Sequence, residues 1–339
     1  MRKALFLFVL PFLVLTNSAC EKGLAYGDPN AVIVVAPRDW WATIEDTVVS
    51  GLSPEVFTVR WDHTFRVSFS EPTDNLWWRF HEVVIIGGPE DQRVAEALAF
   101  LPDTVPIEVP DIYEVEDVWA KNQNVTVVVV DPTGDIPYQV GFRVPKVHEI
   151  LEARFLGEAA TRMFLSGRDS ALADTLQALA GFSLLLPEVY DWGSEDSVYI
   201  FRNDNPDPSE LIRQFTVSWR SPVPALFEAD SILDWRTSIS EQYFSYPQVV
   251  DREELQEGRA GRYDFAEAYA VQGVWRNPPG STWPAAGAVV SWGVHCPHQN
   301  RLFLVDGWLY SPGNDRDKWE YMVQLDTIMH SFRCAGRPR

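Results

Sequence analysis

Continuous apolar runs of strand length recur in the first part of the chain, at VIVVA (Val32–Ala36), EVVIIGG (Glu82–Gly88) and TVVVV (Thr126–Val130). Without alternation, such runs predict strands covered on both faces. FTVRW (Phe57–Trp61) and FRVSF (Phe65–Phe69) instead alternate apolar and polar residues and are joined by three residues, which predicts a hairpin exposed on one face. Asp39 is placed to cap a helix with Trp40, Ile44, Thr47 and Val48 on its buried side. Pro89-Glu90-Asp91 opens another helix that runs to Leu101, and a proline-rich passage from Pro102 to Pro110 then interrupts regular structure.

From Pro145 the period changes. Apolar residues at Val147, Ile150, Leu151, Phe155, Ala159 and Phe164 predict a helix over Lys146–Ser166, and a second helix follows from Ser170 to Ala180. Strands are predicted at Ser183–Leu186, Val198–Arg202 and Phe215–Trp219, then a helix at Ala229–Phe244 and an acidic linker, VVDREELQEGRAGR. Three further strands (Tyr269–Trp275, Ala288–Val294, Arg301–Tyr310) precede a final helix, Asp315–Phe332, with Trp319, Met322, Leu325, Met329 and Phe332 on one face. The mixture argues for an α+β fold with mixed, mostly antiparallel sheets and packed helices. Residues 31–145 form an N-terminal α+β half and 146–339 a C-terminal one. Both place helix before paired strands, as two related halves would, although no residue-level repeat is visible.

The N-terminus reads as an export signal over residues 1–19. Arg2 and Lys3 supply positive charge, Ala4–Leu15 is apolar, and Ser18-Ala19 leads into Cys20. An apolar stretch this short does not span a hydrocarbon core about 30 Å thick. Cysteine directly after the small pair points to a lipoprotein, with Cys20 acylated and residues 20–30 as a tether. Asn17, where lipoprotein signals usually hold leucine, keeps ordinary secretion open. The lipoprotein reading places the protein in the bacterial cell envelope, lipid-anchored, periplasm-facing or at the outer surface. The formal charge is −20, and loss of Arg2 and Lys3 with the signal takes it to −22. Such a surface repels phosphate backbones, which argues against nucleic acid, and it repels anionic membranes, which leaves a lipid anchor as the membrane attachment. If Cys20 is acylated, Cys296 and Cys334 remain as a pair in an oxidising compartment. A bond between them would close a loop of about 38 residues, worth ~3–4 kcal/mol in the chain-entropy model. Two buried free thiols are the rival reading.

Catalytic motifs are scarce. Gly87-Gly88 follows a strand and precedes a helix, but it lacks nucleotide-loop spacing and Pro89 removes an amide, so it reads as a tight turn. His295-Cys296-Pro297-His298 has ligand residue types without a further cluster, and a turn beside a disulfide is the default over a metal site. Asp191 with Glu195, and Asp204 with Asp207, are carboxylate pairs of a kind common in an acidic chain. No cofactor is called for. The segment NPPGSTWPAAG (Asn277–Gly287) is rich in proline and glycine and holds Trp283. It reads either as a binding loop, with Trp275, Trp283, Trp308 and Tyr310 as its aromatics, or as a long hairpin connection packed on itself.

YAVQGVWRN (Tyr269–Asn277), AVVSWGV and NRLFLVDGWLYSPGNDRDKWEYMVQLDTIMHSF resemble the end of an uncharacterised family of bacterial lipoproteins, domain of unknown function 4837. The matching features are Gly273-Val274-Trp275, Val289–Trp292, Asp306-Gly307-Trp308-Leu309-Tyr310-Ser311-Pro312 and the closing helix Lys318–Phe332. DVWAKNQ, FRND and VIVVAPRDWW are similar to earlier family segments. Where the family tends to have Met-Gly-Gly-Pro, this chain has Trp283-Pro284-Ala285-Ala286-Gly287. The resemblance implies an envelope lipoprotein of α+β fold with no established activity. The expected function is accordingly non-enzymatic binding of an envelope protein or small ligand, with an envelope hydrolase or carbohydrate-active enzyme as the alternative.

Overall fold

A computed structural model describes residues 22–206, 212–224, 228–263, 266–282, 284–311 and 318–336, with backbone alone at 259–263 and 266–267. Cys20, Trp283 and Asp207, and the Asp315 start of the final helix, lie outside the described residues. The chain divides into two compact units, one containing residues up to Val49 with Arg66–Val144, the other Ser50–Phe65 with Pro145–Arg339.

The first unit is built on five strands: β1 (Ala31–Val35), β2 (Arg66–Ser70), β3 (Glu82–Gly87), β4 (Asp111–Glu116) and β5 (Asn124–Val129). Their order is β2-β1-β3-β5-β4, parallel except for the antiparallel pair β4–β5. The apolar runs become β1, β3 and β5 because both faces are covered. Helix α1 (Arg38–Leu52) buries Trp41, Ile44 and Val48. Ile33, Val35, Val83, Ile85, Val125 and Val127 pack with Val94 and Ala97 of α2 (Gln92–Leu98), and Val32, Val34, Val84 and Val128 are also buried. Asp91 caps α2, accepting from the backbone N–H groups of Arg93 and Val94.

The expected hairpin of Phe57–Trp61 with Phe65–Phe69 does not form. Glu55–Phe57 instead pairs with Trp61–His63, and β2 lies parallel to β1. The alternation in β2 comes from its position at the sheet edge, and alternation carries no information about which strand is the partner. The helix predicted over Lys146–Ser166 begins earlier, because α3 (Ile136–Met163) runs through Pro145, the residue at which the second unit resumes. Its N-terminus is held by Asp135, which accepts from the Tyr138 N–H (3.0 Å). Val140, Val144, Val147, Ile150 and Leu151 are buried on either side of Pro145, and their packing offsets the hydrogen bond the proline cannot make.

The second unit carries an eight-stranded, wholly antiparallel sheet: β6 (Asp191–Glu195), β7 (Val198–Asn203), β8 (Arg213–Arg220), β9 (Val249–Val250), β10 (Gln256–Tyr263), β11 (Ala266–Arg276), β12 (Ala286–Cys296) and β13 (Arg301–Leu309). The order is β9-β11-β12-β13-β8-β7-β6, and β10 also pairs with β11. The acidic segment expected as a linker therefore supplies two strands, β9 and β10. Charged residues suit an edge strand, where they discourage pairing with another chain. The chain as a whole is mixed α+β, with a mostly parallel sheet in one unit and an antiparallel one in the other, which lends no support to related halves.

One face of the large sheet carries α4 (Ser170–Leu179) and α6 (Trp319–Met329), with Leu172, Leu176, Leu325 and Met329 packed among Phe201, Phe215, Phe303 and Trp292. The other carries α5 (Ala229–Tyr243), whose Ile232, Leu233, Trp235 and Ile239 meet Val271, Trp275, Val289 and Leu304. Cys296 at the end of β12 and Cys334 lie at disulfide distance, with Cα atoms 5.9 Å apart. The latter belongs to a two-residue strand paired with Phe182–Ser183, so this contact fastens the end of the chain to the core.

Candidate functional site

Below α5, a row of polar residues crosses an otherwise apolar layer. Asp306 of β13 is 1% exposed, and Arg236 of α5 is equally buried. The Arg236 Nε donates to Asp306 Oδ1 (2.9 Å) and one terminal nitrogen donates to Gln248 Oε1 (2.5 Å). Ser291 of β12 donates its hydroxyl to the same Asp306 oxygen (2.5 Å). Gln248 is fixed in turn by Ser240, whose hydroxyl donates to its carbonyl (2.9 Å) and accepts from its backbone N–H (3.2 Å). A buried ion pair contributes little net stability over apolar residues of similar volume, because desolvation opposes attraction, but removing one partner strands a buried charge. Here the pair ties α5 and the loop after it to the sheet.

That loop forms one wall of a cavity of about 190 Å³, with Phe244, Ser245, Tyr246 and Gln248 on its side. The sheet contributes Arg202 from β7, Gln214 from β8, Trp275 and Asn277 from the end of β11, Ala285 before β12, and Trp308 and Tyr310 at the end of β13. Period-two alternation explains the set on β13, since Asp306, Trp308 and Tyr310 project to one side of the chain. Trp275 and Trp308 meet edge to face, centroids 5.1 Å apart at 67°. The Trp275 indole donates to the Leu309 carbonyl (3.1 Å). The indole nitrogen of Trp308 is buried and has no acceptor among the described residues. Asn277 ties the rim together, donating to the Pro247 carbonyl (2.8 Å) and accepting from the Ala285 N–H (3.0 Å).

Two open hollows adjoin this cavity. One, about 420 Å³, shares Arg202 and is lined by Asp191, Gly193, Glu195, Val198, Ile200, Asp204 and Tyr243 among others. The other, about 510 Å³, shares Asn277, Ala285 and Tyr310 and runs along the Pro278–Ser281 loop. Arg202 is tethered to Asp204 (3.0 Å). Tyr243 donates its hydroxyl to Asp196 (2.8 Å), and that bond, with burial and the charges of Asp196 and Glu195, holds the phenol above its usual range and protonated.

Of the aromatics singled out from sequence, Trp275, Trp308 and Tyr310 line a single cavity, and Trp283 is outside the described residues. The carboxylates Asp191, Glu195 and Asp204 also gather, around the adjoining hollow. Phe244, Tyr246, Gln214, Gln248 and Arg236 carry no local sequence signal, because their roles arise from packing between distant segments. Among the described residues no cluster of three His, Cys, Asp or Glu is placed to hold a metal, and no helix is long and apolar enough to cross a membrane.

Residues 169–331 match the model of a domain of unknown function, DUF4837. The matched stretch takes in α4, β6 to β13, α5 and α6, and with them the cavity. No curated protein matches the chain. Among solved structures, the Saccharomyces cerevisiae Ran-binding protein Mog1p is similar at 9% identity and a TM-score of 0.32, covering 45% of this chain and 90% of its own. A Mog1 point mutant gives 8%, 0.31, 46% and 91%. Scores this low assign neither fold nor function.

Proposed function

We propose that the unit containing the DUF4837 match is a non-catalytic binding module of the cell envelope that takes an apolar, acceptor-bearing group of a partner or ligand into the aromatic cavity. One observation carries this reading: several aromatic side chains surround a pocket, and one of them, Trp308, has a buried indole N–H without an acceptor among the described residues. Apolar walls with a few fixed polar groups are the usual make-up of a ligand site. A volume near 190 Å³ equals about six waters at ~30 Å³ each, room for one ring or side chain. A group that brings a carbonyl or hydroxyl oxygen to the Trp308 N–H would satisfy a donor that is otherwise costly to bury. The enzyme alternative asks for two carboxylates facing a deep cleft beside tryptophan. The described lining of the aromatic cavity contains no carboxylate, and the carboxylates nearby face an open hollow.

Benzamide, a ring with a carbonyl acceptor, is expected to bind with millimolar affinity by ligand-observed NMR. Ala285→Leu should fill the pocket from its half-buried rim and abolish that binding, with stability within about 1 kcal/mol of the parent. Undiminished binding to this variant would rule the cavity out.

Envelope attachment through acylated Cys20 is supported by the charged, apolar and small-residue succession before it. Cys20→Ser should move the protein from the membrane to the soluble fraction on cell fractionation. Retention on the membrane would end the lipoprotein reading.

A further inference from the structure

The aromatic cavity does not stand alone, and the charge around it is lopsided. In the β6–β7 ladder Asp191 lies opposite Arg202, Gly193 opposite Ile200, and Glu195 opposite Val198. Asp191, Gly193 and Glu195 therefore alternate onto one face, the face on which Val198, Ile200 and Arg202 line the hollow beside the cavity. A Cβ placed on Gly193 would meet nothing within 4 Å, so the floor between the two carboxylates is open. Asp204 lines the same hollow, and Asp196 stands at its rim on Tyr243. Arg202 is the single basic residue of the lining, and Asp204 already holds it. Asp191 and Glu195 have no ion pair among the described residues.

The helix above reinforces this sign. Tyr243 and Phe244, at the C-terminal end of α5, wall the hollow and the cavity respectively. A helix C-terminus carries partial negative charge, and the last turn of α5 has no basic residue to offset it. The whole chain is at −20. An anionic occupant would be repelled from this trough, and a cation would be drawn to it.

We propose that the occupant is a basic peptide segment, with one apolar side chain in the aromatic cavity and adjacent lysines or arginines on the carboxylates of Asp191, Glu195 and Asp204. This rests on the binding reading above and adds the chemistry of the partner. The shape agrees: the cavity admits one side chain, and the hollow sharing Arg202 gives the following residues a path over the β7–β6 end of the sheet. A peptide carbonyl beside the inserted side chain supplies the acceptor for the Trp308 N–H.

The test uses a labelled, end-blocked hexapeptide of three lysines, two serines and one phenylalanine, with fluorescence anisotropy at low ionic strength. Its counterpart carries glutamate in place of lysine. The basic peptide should bind at least tenfold more tightly than the acidic one, and added salt should weaken it. Asp191→Asn with Glu195→Gln, both at exposed positions, should weaken the basic peptide at least tenfold and leave benzamide binding intact. Equal binding of the two peptides, or basic-peptide affinity unchanged in the neutralised variant, would overturn the proposal. If benzamide binds and neither peptide does, the basic partner is wrong and the cavity reading stands. If benzamide and both peptides all fail, both readings fall.

Discussion

Arg236→Ala is expected to destabilise the C-terminal unit by about 3–5 kcal/mol, measured by urea unfolding at neutral pH. The loss does not equal the worth of the ion pair. Truncation leaves the Asp306 carboxylate 1% exposed, with only Ser291 donating to it, and leaves the Gln248 carbonyl without its guanidinium donor. A buried charge left alone is the expensive species. Removing both charges should therefore be milder than removing one. Arg236→Met with Asp306→Leu is expected within about 2 kcal/mol of the parent, since well-packed apolar residues often replace a buried pair at little cost. A double variant as unstable as the sum of its singles would show that the pair acts through packing alone.

Gly287→Ala should cost about 3 kcal/mol or more, or prevent folding, because the added methyl has nowhere to go. Its Cβ would lie 1.8 Å from the Leu309 carbonyl oxygen and 3.1 Å from the Ser311 nitrogen. Both are backbone atoms of the chain leaving β13, so no rotamer change relieves the clash. The same oxygen accepts the Trp275 indole N–H, and Gly287 lies opposite Trp275 in the β11–β12 ladder. Relief by moving β13 would thus pull apart the wall that holds Trp275 and Trp308 in contact. Thermal unfolding of the variant checks this, and a melting temperature within two or three degrees of the parent would contradict it.

These two positions show where sequence reading stops. The strands over Val32–Ala36 and Glu82–Gly88 were legible because a run of β-branched residues has one simple solution, a strand covered on both faces. The helix Ala229–Tyr243 and the strands around Trp275, Val289 and Leu304 were legible for similar local reasons. Trp275, Trp308 and Tyr310 stood out as aromatics near a loop without catalytic neighbours. Their convergence with Phe244 and Gln248 depends on antiparallel register and on Arg236 reaching Asp306, contacts 70 residues apart in the chain. Nothing in the local pattern encodes such a distance. The errors have the same origin. Alternation at Phe65–Phe69 marked a strand exposed on one face but did not name its partner, the charges of the segment before β11 resembled a linker, and the helical spacing after Pro145 hid a helix that begins ahead of that proline.

If the aromatic cavity takes an acceptor-bearing group, the buried Trp308 indole N–H is the donor that gains a partner. The most direct measurement follows the tryptophan indole signals of ¹⁵N-labelled protein during a benzamide titration, with Trp308→Phe used to assign that resonance. The Trp308 N–H should shift downfield as it gains an acceptor, Trp275 should move less because its bond to the Leu309 carbonyl is already made, and Ala285→Leu should abolish both changes. A titration in which benzamide leaves the Trp308 signal in place would contradict the binding reading.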